Sequence, residues 1–96
     1  MPTYISMLRY TQQGISAIKN APARTDAAKE AYRKAGGELK AIYLTLGQYD
    51  LVAIAEMPND EAVARMALAQ GALGNVRSET MRAFTETEFK KIAGTV

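Results

Sequence analysis

The amino-acid sequence predicts an α+β domain whose strands and helices follow the order βαββαβ. Three observations point there: β-favouring runs at Tyr4–Tyr10, Leu39–Met57 and Val76–Phe84, two Ala-rich segments of helical spacing between them, and a Gly47-Gln48 pair that divides the middle run. A chain of 96 residues has room for one core, so a single domain over residues 1–96 is expected.

Tyr4–Tyr10 mixes aromatic and aliphatic residues and ends at the breaker cluster Thr11-Gln12-Gln13-Gly14, which predicts a strand followed by a loop. Pro22 suits a first helical position. From there Ala23, Ala27, Ala31 and Ala35 recur at fourfold spacing, and Gly36-Gly37 stops the helix. Its other side carries Asp26, Lys29, Glu30, Arg33 and Lys34, a solvated face with Glu30 placed to pair with Lys34.

Gly47-Gln48 fits a two-residue type II′ hairpin turn, which takes Gly first. Leu46 would then oppose Tyr49, and Thr45 would oppose Asp50. One face of the hairpin holds Ile42, Leu44, Leu46, Tyr49, Leu51, Ala53 and Ala55, and is expected to carry the helices. The other holds Leu39, Ala41, Tyr43, Thr45, Asp50, Val52, Ile54 and Glu56, apolar in its middle and polar towards its ends. Pro58-Asn59-Asp60-Glu61 reads as a capped helix start, and the charge-poor run from Ala62 to Ala72 predicts a largely buried helix ending at Gly74-Asn75. Val76–Phe84 is the last and most polar strand, and Thr85 opens a short terminal helix through Ile92.

This order matches a ferredoxin-like sandwich, a four-stranded antiparallel sheet with two helices on one face and a short C-terminal helix added. Two helices leave the opposite face open, with Ala41, Tyr43, Val52 and Ile54 exposed. A homo-oligomer, at least a dimer joined through that face, is therefore expected.

Composition narrows the chemistry. Twelve basic and 10 acidic side chains give a net charge of +2, scattered without the stripe that binding to a phosphate backbone requires, so nucleic acid is not expected. The chain has no Cys and no His, which removes thiolate chemistry, imidazole acid–base catalysis and most metal sites. Lack of Cys fits a reducing compartment and the N-terminus shows no basic leader or long apolar run, so a cytoplasmic protein without membrane association is expected. Gly71-Ala72-Leu73-Gly74 lacks the Gly-Lys-Ser/Thr ending of a P-loop, and Tyr49–Met57 lacks the stacking series of an RNA-recognition strand. No motif calls for a cofactor or a metal.

Gly47-Gln48-Tyr49-Asp50 forms a Gly-x-Tyr-Asp signature. With Thr45-Leu46 before it, Val52-Ala53-Ile54 after it, the Glu56-x-Pro58-x-Asp60-Glu61 helix entry and Leu73–Thr80, the chain resembles the GYD domain family over most of its length. The resemblance implies a ferredoxin-like domain akin to the dimeric α+β barrels and assigns no reaction.

Two readings of the signature stand. Gly47 supplies a positive φ, Tyr49 closes the end of the core and Asp50 accepts a hydrogen bond from hairpin backbone or Thr45. Alternatively Asp50 faces the inter-sheet cleft beside Tyr43 or an Arg of a partner subunit, where burial would raise its pKa and fit it for general-base work. Arg77 and Glu79 share a strand face while Arg82 falls on the other, so a clamp of both arginines on one anion needs a bulge. A salt bridge across subunits, with Glu56 as acceptor, is the preferred alternative for these arginines, although Glu56 fits equally as an exposed edge residue. Candidate ligand or interface residues are thus Tyr43, Gly47, Tyr49, Asp50, Glu56, Arg77 and Arg82. The favoured function is a non-enzymatic oligomeric module that binds a small ligand or acts as a structural partner. The alternative, a cofactor-free monooxygenase or isomerase, rests on fold analogy.

Overall fold

A computed structural model describes residues 1–96. Four strands, β1 (Thr3–Tyr10), β2 (Glu38–Leu44), β3 (Leu51–Glu56) and β4 (Val76–Ala83), form one sheet in the order β2-β3-β1-β4 with every neighbouring pair antiparallel. Helices α1 (Gln12–Ser16), α2 (Ala21–Lys34), α3 (Asp60–Ala72) and α4 (Glu86–Ala93) complete the chain, with a 3₁₀ turn at Ile18–Asn20. Helices α2 and α3 cover one face of the sheet, as the βαββαβ reading requires.

The breaker cluster after β1 is itself helical. Thr11 caps α1, its hydroxyl oxygen accepting from the Gly14 N–H at 3.1 Å, so the polar residues that read as a loop make a cap and a short helix. Gly14 is required there because a Cβ would meet the Asn75 carbonyl oxygen at 2.0 Å. At α3 the cap is Asn59, which accepts from the Ala62 N–H at 2.9 Å. Helix α4 carries a full capping box between Thr85 and Glu88. On α2 the carboxylate of Glu30 pairs with Arg33 and not with Lys34; the planar guanidinium grips both carboxylate oxygens.

The hairpin has the expected register, with Leu44 opposite Leu51 and Tyr43 opposite Val52, but the ladder stops there. Residues 45–50 form a wider connection than a two-residue turn. It is held by Thr45 N–H donating to the Asp50 carbonyl at 2.8 Å and the Thr45 hydroxyl donating to the Tyr49 carbonyl at 2.7 Å. A bulge at Lys40 also shifts Leu39 opposite Ala55, which turns it from the open face to the helix face.

The core is small. Tyr4, Met57, Ala62 and Met66 form it, with Ala31, Tyr32 and Val63 packed around them. Helix α3 buries only Ala62 and Met66, and Leu68 is 76% exposed, so the expected burial of this helix is not reached within one chain. Leu44 and Leu46, expected under the helices, lie beyond their reach, Leu46 being 97% exposed. The accessible surface is 6558 Å², whereas a compact monomer of 10.4 kDa exposes about 5,400 Å². The radius of gyration, 14.3 Å, likewise exceeds the roughly 12.5 Å of a compact domain of this length. Part of the excess is α4, which packs little against the sandwich and leaves Phe89 61% exposed.

Candidate functional site

Strand alternation assigns each side chain to one of two surfaces. Tyr4, Ser6 and Leu8 of β1 line the space under the helices, so Ile5, Met7 and Arg9 point to the open face. On β4 the partners of these residues are Met81, Glu79 and Arg77, and on β3 the open face holds Val52, Ile54 and Glu56. Tyr43 and Ala41 extend it onto β2. The middle of the open face is therefore apolar, with Tyr43 58% and Met81 46% exposed.

One end of this face collects the signature. Gly47 adopts φ +116°, as the sequence requires of it, in open space where no atom crowds a Cβ. Tyr49 does not close the core. Its ring lies under the Arg9 guanidinium, 4.6 Å from the centroid, and its hydroxyl donates to Glu79 Oε2 at 2.9 Å. The ladder ends at Leu51, so residue 49 is free of strand parity and reaches the open face. Arg9 completes the cluster, with its Nε donating to the Gln48 carbonyl at 2.9 Å and its guanidinium 3.9 Å from Glu79. The hydrogen bond to the Glu79 carboxylate raises the Tyr49 phenol above the ordinary tyrosine range.

Asp50 is bound to β1. Its Oδ2 accepts from the Tyr10 N–H at 2.9 Å, and its own N–H donates to the Leu8 carbonyl at 2.9 Å, so the carboxylate acts on the neighbouring strand and not on the hairpin or Thr45. Asp50 and Tyr43 are thus not brought together by any bond. Arg77 stands directly opposite Arg9, and neither Arg77 nor Glu56 has an ion-pair partner within its own chain. Arg82 lies opposite Tyr4 on the helix side, as parity predicts, with its guanidinium 4.3 Å from the Phe84 ring centroid and 5.8 Å from that of Tyr4. Tyr4 in turn donates to Asp60, and this bond, with burial, raises its phenol pKa.

Behind the sheet, the small residues of α2 and β3 leave space. A cavity of about 70 Å³ sits among Tyr4, Tyr32, Met57 and Met66. A cleft of about 440 Å³ opens beside it, under α2, among Leu8, Tyr10, Ala28, Ile42, Leu73 and Val76, with Arg24 as its one charged lining residue. Sequence reasoning missed Arg9, Arg24 and the Tyr4–Asp60 pair. The alternation Ile5, Met7, Arg9 contained a signal for the first; the others depend on where helices settle.

No group of His, Cys, Asp and Glu is arranged to hold a metal, and no helix is long and apolar enough to cross a membrane.

A four-stranded antiparallel sheet in this order, with helices on one side, defines a ferredoxin-like α+β domain. The GYD domain family model matches residues 4–93, and the chain belongs to that family. A protein of Thermus thermophilus named "Glutamine synthetase and cystathionine beta-lyase binding protein" is 32% identical over 84 residues, covering 86% of this chain and 88% of that one. The crystal structure of TTHA0845, also from Thermus thermophilus, is similar at 27% identity and TM-score 0.52, covering 88% of this chain and 95% of that one. The crystal structure of FFRP-DM1 shares the fold, with TM-score 0.62 at 15% identity over 88% of this chain and all (100%) of that one.

Proposed function

We propose that this chain works as a homo-oligomeric binding module without catalytic activity, assembled through the open face of its sheet. The observation that carries this is surface area: the isolated chain exposes 6558 Å², about 1,200 Å² more than a compact monomer of its mass. A standard interface buries about 800 Å² on each partner, so one such contact, together with the protruding α4, is enough to account for the excess. The apolar middle of the open face, Ile5, Met7, Val52 and Ile54 with Tyr43 and Met81 at its margin, is the patch that a second copy related by a two-fold axis would cover. Arg77 and Glu56, both without ion-pair partners in their own chain, then pair across the interface. Gly47, Tyr49 and Asp50 hold the end of the face in shape. Arg82, on the helix side, lies outside this contact.

A binding role agrees with the Thermus relative's name, which speaks of binding two enzymes. The reducing cytoplasm, where a chain without Cys loses nothing, is the proposed setting.

Sedimentation velocity on the full chain tests the assembly. Wild type is expected to run as a dimer or larger at micromolar concentration, and Ile54→Asp as a folded monomer with unchanged far-UV circular dichroism. A wild-type monomer at that concentration would falsify the proposal.

A further inference from the structure

The cleft under α2 combines three features that together specify a ligand. Its volume, about 440 Å³, falls within the roughly 300–1,000 Å³ of small-molecule sites. Ten of its 14 lining residues are hydrophobic, and the walls are built from Leu8, Ala28, Ile42, Leu51, Leu73 and Val76. Leu8, Ala28, Ile42 and Gln70 also line the smaller cavity, so the cleft leads on towards Tyr32 and Met57. An apolar body is what such a space accepts in place of water.

The charge in this cleft has one sign. Arg24 is its only ionisable lining residue apart from the phenol Tyr10, and no carboxylate lines either space. Two of the Arg24 donors are committed, Nη1 to the Ala17 carbonyl at 3.0 Å and Nη2 to the Gly14 carbonyl at 3.2 Å. These bonds hold the guanidinium in place beside the cleft, yet they are to neutral acceptors. No acidic side chain pairs with Arg24, and a guanidinium has five N–H donors, so capacity for an anion remains. Thr25, Gln70 and Asn75 line the same cleft. The Asn75 carbonyl oxygen Oδ1 accepts from Gln13 at 3.1 Å, which leaves its amide group to donate. Donors without a fixed acid, around an apolar space, select a single negative charge on an apolar molecule.

We infer that the cleft between α2 and the sheet binds an apolar monocarboxylate, its carboxylate held by Arg24 and its hydrocarbon or aryl body lodged between Ala28, Ile42 and Leu73. This rests on the reading of the chain as a binding module and names the ligand class for a site on the opposite side of the sheet from the proposed subunit contact.

Isothermal titration calorimetry of the full chain with decanoate, decanol and decyltrimethylammonium tests it. Decanoate is expected to bind once per chain and at least ~10-fold more tightly than decanol, the lower bound for a charge-assisted hydrogen bond. The ammonium compound is expected to bind more weakly still. Equal binding of decanoate and decanol overturns the carboxylate assignment and leaves an apolar binding cleft. No binding of any of the three overturns the cleft as a ligand site, while the assembly reading stands or falls by sedimentation alone. Arg24→Met is expected to remove the preference for decanoate over decanol, and Arg24→Lys to retain most of it. Should Arg24→Met unfold, the comparison of three probes on wild type decides by itself.

Discussion

The two faces of the sheet are built on opposite principles. The helix side is covered but underfilled: Ala28 of α2 shares a cavity with Ala53 and Ala55 of β3, and space remains between the layers. The open side is uncovered but furnished with large apolar residues, Ile5, Met7, Val52, Ile54 and Met81. Tyr4, Leu8, Tyr32 and Met57 supply bulk on the helix side without filling it, whereas the bulk of the open side has no cover within the chain. The proposed subunit contact and the proposed ligand cleft each rest on one half of this contrast, an apolar face without cover and a covered face with room left in it.

The most direct way to break that contrast is to delete bulk on each side. Met57→Ala, at the fully buried core position, is expected to cost about 2–5 kcal/mol at every protein concentration. Ile54→Ala is expected to change stability by only about 0.5 kcal/mol in dilute, monomeric samples, and by more where the oligomer forms. Urea titrations at two protein concentrations give both values, and equal Ile54→Ala costs at the two would remove the distinction between the faces.

Asp50→Ala comes next in size. It strips the acceptor from the half-buried Tyr10 N–H and is expected to cost about 1–3 kcal/mol. A loss below about 0.5 kcal/mol would free Asp50 from its structural role. Ala28→Leu sharpens the underfilled side, since Ala28 lines both spaces. It is expected to add about 1 kcal/mol of stability while weakening decanoate binding. A destabilised variant would show instead that the space cannot accept more carbon.

The smallest effect belongs to α4. Backbone N–H donation from Thr85 lowers the Glu88 pKa below the ordinary glutamate range. Its folded pKa is depressed, so the stabilisation is complete above the ordinary glutamate range and is lost as pH falls through the depressed value. Protection of the α4 amides, measured relative to their intrinsic exchange rates, is expected to fall only in that acidic window, and Glu88→Gln is expected to flatten the dependence.

Much of this fold was legible. Element order, the hairpin register and the sides taken by Arg77, Glu79 and Arg82 follow from periodicity and parity, which are local. Departures occur where parity is interrupted. Leu39-Ala41-Tyr43 reads as continuous alternation, and nothing in those residues announces the bulge at Lys40. Tyr49 lies past the end of the ladder, so alternation assigned it to the wrong side. Thr11 was visible as a breaker, and the same side chain serves as a helix cap once Gly14 lets the chain approach Asn75. Of the candidate site, the open-face residues of β2 and β3 were legible, while Arg9, the side taken by Tyr49 and the cleft were not. Its volume depends on how far α2 stands from the sheet, and that distance is set by contacts remote in sequence.

The position of β1 between β3 and β4 also bears on how the chain acquires its shape. Ser6 meets Thr80, 74 positions away, through their hydroxyls, so the centre of the sheet closes only after nearly the whole chain has been threaded into place. Loop-closure entropy is spent before those pairs form, which puts folding with the slower, non-locally connected α/β domains. Stopped-flow refolding is expected in milliseconds or longer, and until β4 arrives β1 presents a bare edge to any other strand at hand.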